Sequence, residues 1–184
     1  MRIGIDARLY NQTGVGRYIR NIIGQLQTID NRNLYYIYLR KSEYSVLKFN
    51  NPNFSKKLLD VGWHSLREQL IPPIIFYRDN IDVMHFPYFN VPIFYNGNYL
   101  LTVHDLIINH FDTGRASTRR RIFYKIKRLG YRWALWNALK KAKFITAISE
   151  TTKAELIDHY KLKNESVAVT YDADMQADFD DLRF

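Results

Sequence analysis

Apolar positions along this chain follow two periods in turn. Short apolar runs at Arg2–Asp6, Leu34–Arg40, Lys57–Val61, Asp82–Phe86, Tyr99–Val103, Lys143–Ile148 and Ser166–Tyr171 read as strands. Several lack polar alternation, as expected of a parallel sheet covered on both faces. Between them the spacing predicts helices over Gly16–Ile29, Ser65–Arg78, Ser117–Lys141 and Glu150–Tyr160. Tyr18, Ile19, Ile22, Ile23 and Leu26 give the first of these its apolar face. Pro72-Pro73 predicts a break or late start in the second, and Gly130 a kink or close packing in the third. Ser149 is placed to cap the fourth, with Glu150 favourable in its first turn. Alternating strands and helices predict an α/β domain with a doubly wound, mostly parallel sheet and helices on both faces. Ligands of such a sheet sit at the carboxyl ends of its strands.

Composition narrows the class. The 184 residues suit one domain with a sizeable core. Hydrophobic residues make up 47% and aromatic residues 15%, which excludes a disordered chain. No cysteine is present, so disulfides, thiol catalysis and cysteine metal sites are excluded. Arg2 and Asp6 interrupt the only early apolar run, and no stretch has the length of a bilayer span. The expected location is cytoplasmic.

Charge adds a partner. The formal net charge is +9, and its distribution is uneven. No acidic residue occurs from Thr113 to Ser149, whereas Arg115, Arg119, Arg120, Arg121, Lys125, Lys127, Arg128 and Arg132 crowd into that segment. The end of the chain is acidic, through Asp172, Asp174, Asp178, Asp180 and Asp181. A segregated basic block suggests membrane lipid, a phosphorylated substrate or nucleic acid. At helical spacing Ile122, Ile126, Leu129, Trp133 and Trp136 form one stripe, with Arg121, Lys125, Arg128 and Arg132 beside it. That pattern suits either an anionic bilayer or the solvated side of a core helix. No nucleic-acid motif or stacking platform is legible, so nucleic acid is not expected.

Three segments carry candidate chemistry. "RIGIDARLYNQTGVGRYIRNII" reads as strand, glycine loop and helix, in which Gly14 and Gly16 let backbone amides approach a phosphate. The same glycines are also what a plain turn needs. A dinucleotide fingerprint requires a third small residue, but Ile19 stands there, and the second strand ends in Arg40-Lys41 rather than an acid. A nicotinamide cofactor is therefore disfavoured. "DVMHFPYFNVP" places His85, Tyr88 and Asn90 around a strand end. "LLTVHDLIINHF" stops a buried strand at His104-Asp105, where a tunable imidazole with a neighbouring carboxylate faces the crevice. A structural histidine bonded to backbone is the alternative. His64 and His110 have no such setting. Asp172-Ala173-Asp174 spells a possible divalent-ion pair, and equally an ordinary acidic tail.

Together these segments resemble the N-terminal domain of glycosyltransferase family 4, retaining enzymes of the GT-B fold. The opening strand, glycine loop and helix, the "DVMHFPYFNVPI" and "LLTVHDLI" loops, and "FITAISETTKAELIDHYKL" followed by "SVAVTYDA" match in order. Bacterial mannosyltransferases of O-antigen or related polysaccharide synthesis are the most similar subgroup. The resemblance implies a Rossmann-like acceptor-binding domain over residues 1–171 and an interdomain linker over 172–184. It implies a nucleotide-sugar donor held mainly by a second domain, a glycan or lipid-linked acceptor, and no required metal. On matching positions, Gly14 and Gly16 would approach the donor diphosphate. His104 would line the cleft with support from Asp105, and Tyr88 and Asn90 would face the acceptor. The basic helix would meet the membrane, and the enzyme would be peripheral on its inner face. The family's paired glutamates belong to the second domain and are absent here, so this chain alone is expected to be inactive.

Overall fold

The computed structural model describes residues 1–62, 65–106 and 118–171, the side chains of 118–128 excepted. Seven strands form one all-parallel sheet: β1 (Arg2–Asp6), β2 (Leu34–Leu39), β3 (Phe54–Leu58), β4 (Val83–Phe86), β5 (Tyr99–Val103), β6 (Phe144–Ala147) and β7 (Val167–Val169). Their spatial order is β3-β2-β1-β4-β5-β6-β7. The order reverses between β1 and β4, which makes that pair the topological switch point, where a crevice opens in doubly wound sheets. The helices are α1 (Gly14–Ile29), α2 (Lys41–Val46), α3 (Leu66–Arg78), α4 (Thr118–Lys141) and α5 (Glu150–Tyr160). A single 3-10 turn, Asn164–Ser166, leads into β7.

Strand alternation sorts the core into two layers. On β2, Tyr35, Ile37 and Leu39 join Ile19 and Ile23 of α1 on one face. The intervening Tyr38 joins Phe76 of α3, Leu135 and Leu139 of α4 and Leu156 of α5 on the other. Right-handed crossovers require this split, because α1 leads leftward from β1 while α3, α4 and α5 lead rightward.

The structure corrects the sequence expectations at four places. The third strand is Phe54–Leu58 rather than Lys57–Val61. Phe54 stacks on Tyr35 at 4.4 Å and sets the register, while Leu59 and Val61 lie beyond the strand end, buried in the second layer. The short α2 has no counterpart among the expected helices. It is fixed by tertiary contact, since its buried Glu43 accepts a hydrogen bond from Asn11 at 2.6 Å. α3 runs unbroken through Pro72 and Pro73. An interior proline costs a helix about 3 kcal/mol, but both rings are buried against the core and Ser65 Oγ caps the first turn by accepting from the Glu68 amide. Gly130 is exposed in α4 and a Cβ there would meet nothing within 4 Å, so close packing is not its role.

Candidate functional site

The loop from β1 into α1 folds back on itself. Tyr10 N donates to Ala7 O and Gln12 N to Leu9 O, and the helix starts at Gly14. Gly14 and Gly16 are thus the first and third residues of α1, not a preceding loop, and no described glycine has positive φ. A plain turn is not their purpose. A Cβ on Gly16 would stand 2.6 Å from Tyr10 O and 2.7 Å from Leu9 O, so this glycine lets the loop close over the helix end. A Cβ on the exposed Gly14 would meet nothing. Thr13 gives no side-chain cap, and the first turn holds no acid. Its amide donors therefore remain suited to an anion.

A small crevice opens at the switch point between β1 and β4. Asp6, Val15, Ile19, Phe86, Tyr88 and Asn90 line it, together with Leu9 and Pro87. Two predicted residues, Tyr88 and Asn90, therefore meet the glycine helix here. Both are half-buried. Burial, and secondarily the charge of Asp105, hold the Tyr88 hydroxyl above its usual pKa. Asn90 Nδ2 donates to Glu68 Oε1 at 2.5 Å.

Glu68 belongs to a buried cluster that sequence reading missed. Arg8 donates to Asp6 through Nε at 2.8 Å and Nη2 at 2.6 Å, and its Nη1 lies 2.8 Å from Glu68 Oε1. Burial opposes the guanidinium charge, but the two carboxylates outweigh it and raise the Arg8 pKa. The fork thereby compensates the Asp6 carboxylate, which would otherwise repel an anion at the helix end. The only sequence signal was a charge pair two residues apart at the end of an apolar strand.

His104 stands one strand over, at the end of β5. Its Nε2 lies 2.9 Å from Pro87 O. A carbonyl only accepts, so Nε2 carries the proton and Nδ1 is the nitrogen that can accept. Thr152 of α5 donates to the His104 carbonyl at 3.2 Å. The ring is half-buried, and Nε2 ties it to the backbone. Asp105 is exposed, and its charge is felt at the Tyr88 and Tyr131 hydroxyls, raising both pKa values after burial has done so first.

Tyr18, which the sequence analysis placed only on the apolar face of the first helix, joins the two regions. Its ring meets His104 edge-on at 5.1 Å and His85 at 6.2 Å. Its hydroxyl lies 3.0 Å from Thr102 Oγ1, which is also 2.9 Å from His85 Nε2 and 2.9 Å from Thr146 Oγ1. One donor and two lone pairs saturate that threonine. Burial, aided by His104, lowers the His85 pKa to about 4, so His85 is neutral at pH 7.

Among the described residues no group of three His, Asp or Glu side chains is placed to hold a metal. Asp172, Asp174, His64 and His110 lie outside the described residues, as do the side chains of Arg121, Lys125 and Arg128. Arg132 is exposed on α4, and so are Leu129, Trp133 and Trp136 of the apolar stripe. Leu135, Ala138 and Leu139 face the core instead. No described helix is long and apolar enough to cross a membrane.

No protein-family model matches the chain, and no curated protein matches it. Among solved structures, a glycosyltransferase from Rickettsia africae ESF-5 is similar at 13% identity with a TM-score of 0.44. The match covers 92% of this chain and 42% of that one, so the chain spans less than half of that protein's length.

Proposed function

We propose that this domain is the acceptor-side half of a retaining sugar transferase, one that moves a hexose from a nucleotide-sugar to a lipid-linked or cell-surface glycan. The ordered sequence resemblance to glycosyltransferase family 4 supports this, with O-antigen-type mannosyl transfer as its finer form. The observation that carries it is one juxtaposition. The uncapped N-terminus of α1 borders the switch-point crevice lined by Tyr88 and Asn90, and the same helix touches His104 through Tyr18.

In this reading the first-turn amides of Gly14, Val15 and Gly16 take a diphosphate oxygen, with Arg8 offsetting Asp6 behind them. His104 lines the cleft near the transferred sugar in this reading, its ring anchored through Nε2 on Pro87 O. Asp105 adds a negative charge beside the Tyr88 hydroxyl. Tyr88 and Asn90 bind acceptor hydroxyls, Asn90 being oriented by Glu68. A second lobe supplies the rest of the donor site, so residues 1–184 alone do not turn over. The reading needs no metal or other cofactor, and no nucleic acid.

The exposed Leu129, Trp133 and Trp136, with Arg132 nearby and Arg121, Lys125 and Arg128 in the same sequence stripe, support α4 as a contact with an anionic bilayer on the cytoplasmic side. The same exposure favours a second reading, a non-catalytic module that docks on such membranes or on a separate catalytic chain.

The test is His104→Ala in the complete gene product. Sugar transfer from a panel of nucleotide-sugars to membrane lipid extract should fall about 100-fold or more, with little change in melting temperature. Equal loss of activity and stability would mark a structural histidine and favour the docking module.

A further inference from the structure

A second helix presents an apolar stripe outward. Leu66, Leu70, Ile74 and Tyr77 of α3 recur at three- and four-residue spacing and are all exposed, Leu66 at 86% and Ile74 at 66%. The opposite side of the same helix buries Glu68, Pro72 and Phe76. Leu66, Leu70 and Ile74 are thus surplus to the core, whereas Tyr77 also leans on the buried Tyr95 at 5.4 Å, and a helix normally shows water its polar side.

α3 and α4 cover the same side of the sheet, where Phe76 of one and Leu135 and Leu139 of the other share a core layer. Residues 93–96, in the β4–β5 connection, are fastened to both helices. Gln69 Oε1 accepts from Ile93 N at 2.7 Å, and Tyr77 Oη accepts from Asn96 N at 2.9 Å. On the other side Lys141 Nζ donates to Ile93 O at 3.1 Å and Asn96 Oδ1 at 3.2 Å. Phe94, between the fastened Ile93 and Asn96 in sequence, is 59% exposed. On α4, Trp133 and Trp136 are exposed, the latter with Lys140 Nζ 5.0 Å over its ring.

Charge selects the occupant. The one acid of α3, Glu68, is fully buried; residues 87–98 carry no charge; and α4 has no acid. Arg67, Arg78, Arg132, Lys140 and Lys141 belong to the same two helices and are exposed. Exposed apolar side chains and cations on elements that carry no exposed acid complement an anionic lipid interface, where aromatics and aliphatics enter the acyl boundary and cations meet headgroups.

We propose that α3, Phe94 and α4 form one bilayer-docking face, with Leu66, Leu70, Ile74 and Phe94 inserting beside Trp133 and Trp136. This rests on the membrane contact proposed above for α4 and extends it to α3, independently of any sugar transfer. Docked this way, the domain lies with its α3–α4 layer on the lipid.

Co-sedimentation of the 184-residue chain with vesicles tests it, using phosphatidylcholine alone or mixed with phosphatidylglycerol. Binding should require phosphatidylglycerol and weaken with salt. The double variant Leu70→Glu/Ile74→Glu, and separately Phe94→Ser, should each lower partitioning by roughly tenfold. Trp133→Ser/Trp136→Ser should do likewise. Ile29→Glu, an exposed change at the far end of α1, should have no effect. Unchanged melting temperatures keep the α3 variants interpretable, since their side chains lie outside the core. If only the tryptophan variant loses binding, α4 docks alone and this proposal is overturned. If no variant matters, or wild type ignores vesicles, both membrane ideas fail. If wild type instead self-associates and the α3 variants are monomeric, the face is a protein interface and the proposal is also overturned.

Discussion

Tyr18 presents its ring edge-on to the His104 imidazole, with centroids 5.1 Å apart and planes at 86°. This contact couples the glycine-led helix to the end of β5, and its phenol anchors to Thr102 at 3.0 Å. Tyr18→Phe keeps the ring and removes only the hydroxyl, so it should cost roughly 0.5–1.5 kcal/mol. Tyr18→Ala also opens a cavity and should cost about 3–5 kcal/mol. Urea denaturation separates the two. Equal losses would mean that the hydroxyl, not the ring, holds the helix in place.

The two glycines of α1 should behave differently. Gly16→Ala drives a methyl into the Leu9 and Tyr10 carbonyls, and the β1–α1 loop must shift to accept it. A loss of roughly 1–3 kcal/mol is expected. Gly14→Ala meets nothing and should be neutral, or stabilising by up to about 1 kcal/mol. Thermal unfolding of both variants decides the point; a Gly14 variant as unstable as the Gly16 one would rule out this role for the helix start.

Arg8 and Glu68 are fully buried and 2.8 Å apart, with Asp6 on the other side of the guanidinium. Arg8→Met leaves two carboxylates without their cation and should cost roughly 3–5 kcal/mol. Adding Glu68→Gln should restore part of that loss by removing one stranded charge. Additive losses in the double variant would show that the pair is not coupled.

His85 supplies a pH dependence. Burial, with a smaller contribution from the charge of His104, lowers its pKa to about 4, against an unfolded value near 6.5. The unfolded chain therefore binds the proton more readily. Stability from this residue is fully present above about pH 6.5 and is lost as pH falls towards 4. Between pH 7 and pH 4.5 wild type should lose roughly 2–3 kcal/mol more than His85→Gln, which keeps a hydrogen-bonding side chain but does not titrate. Parallel curves for the two proteins would argue against a buried neutral imidazole.

Much of the frame was legible because it is local. Arg2–Asp6, Tyr99–Val103 and Glu150–Tyr160 have the bounds the sequence predicts: two uninterrupted apolar strands, and a helix whose Ser149 Oγ accepts from the Thr152 amide. Tyr88, Asn90 and His104 were legible as candidates because each comes just after a strand, and parallel strands deliver their trailing residues to one edge of the sheet. The hidden features depend on partners distant in sequence. Nothing near Pro72 announces that its ring is packed in the core. Nothing near Arg8 points to Glu68, and Tyr18 meets Thr102 across 84 positions. Periodicity on α4 revealed a stripe of Leu129, Trp133 and Trp136 without revealing its direction, because Leu135, Ala138 and Leu139 form the rival stripe that the core takes.

Diphosphate binding at the first turn of α1, beside the switch-point crevice, underlies the proposed function. It can be observed by titrating the isotope-labelled chain with a nucleoside diphosphate to millimolar concentration and recording backbone amides by NMR. Saturable shifts should appear at Gly14, Val15 and Gly16, with smaller movement at Asn90 and His104. If those amides hold still while the ligand shifts residues elsewhere, or shifts none at all, the helix end is not a diphosphate site.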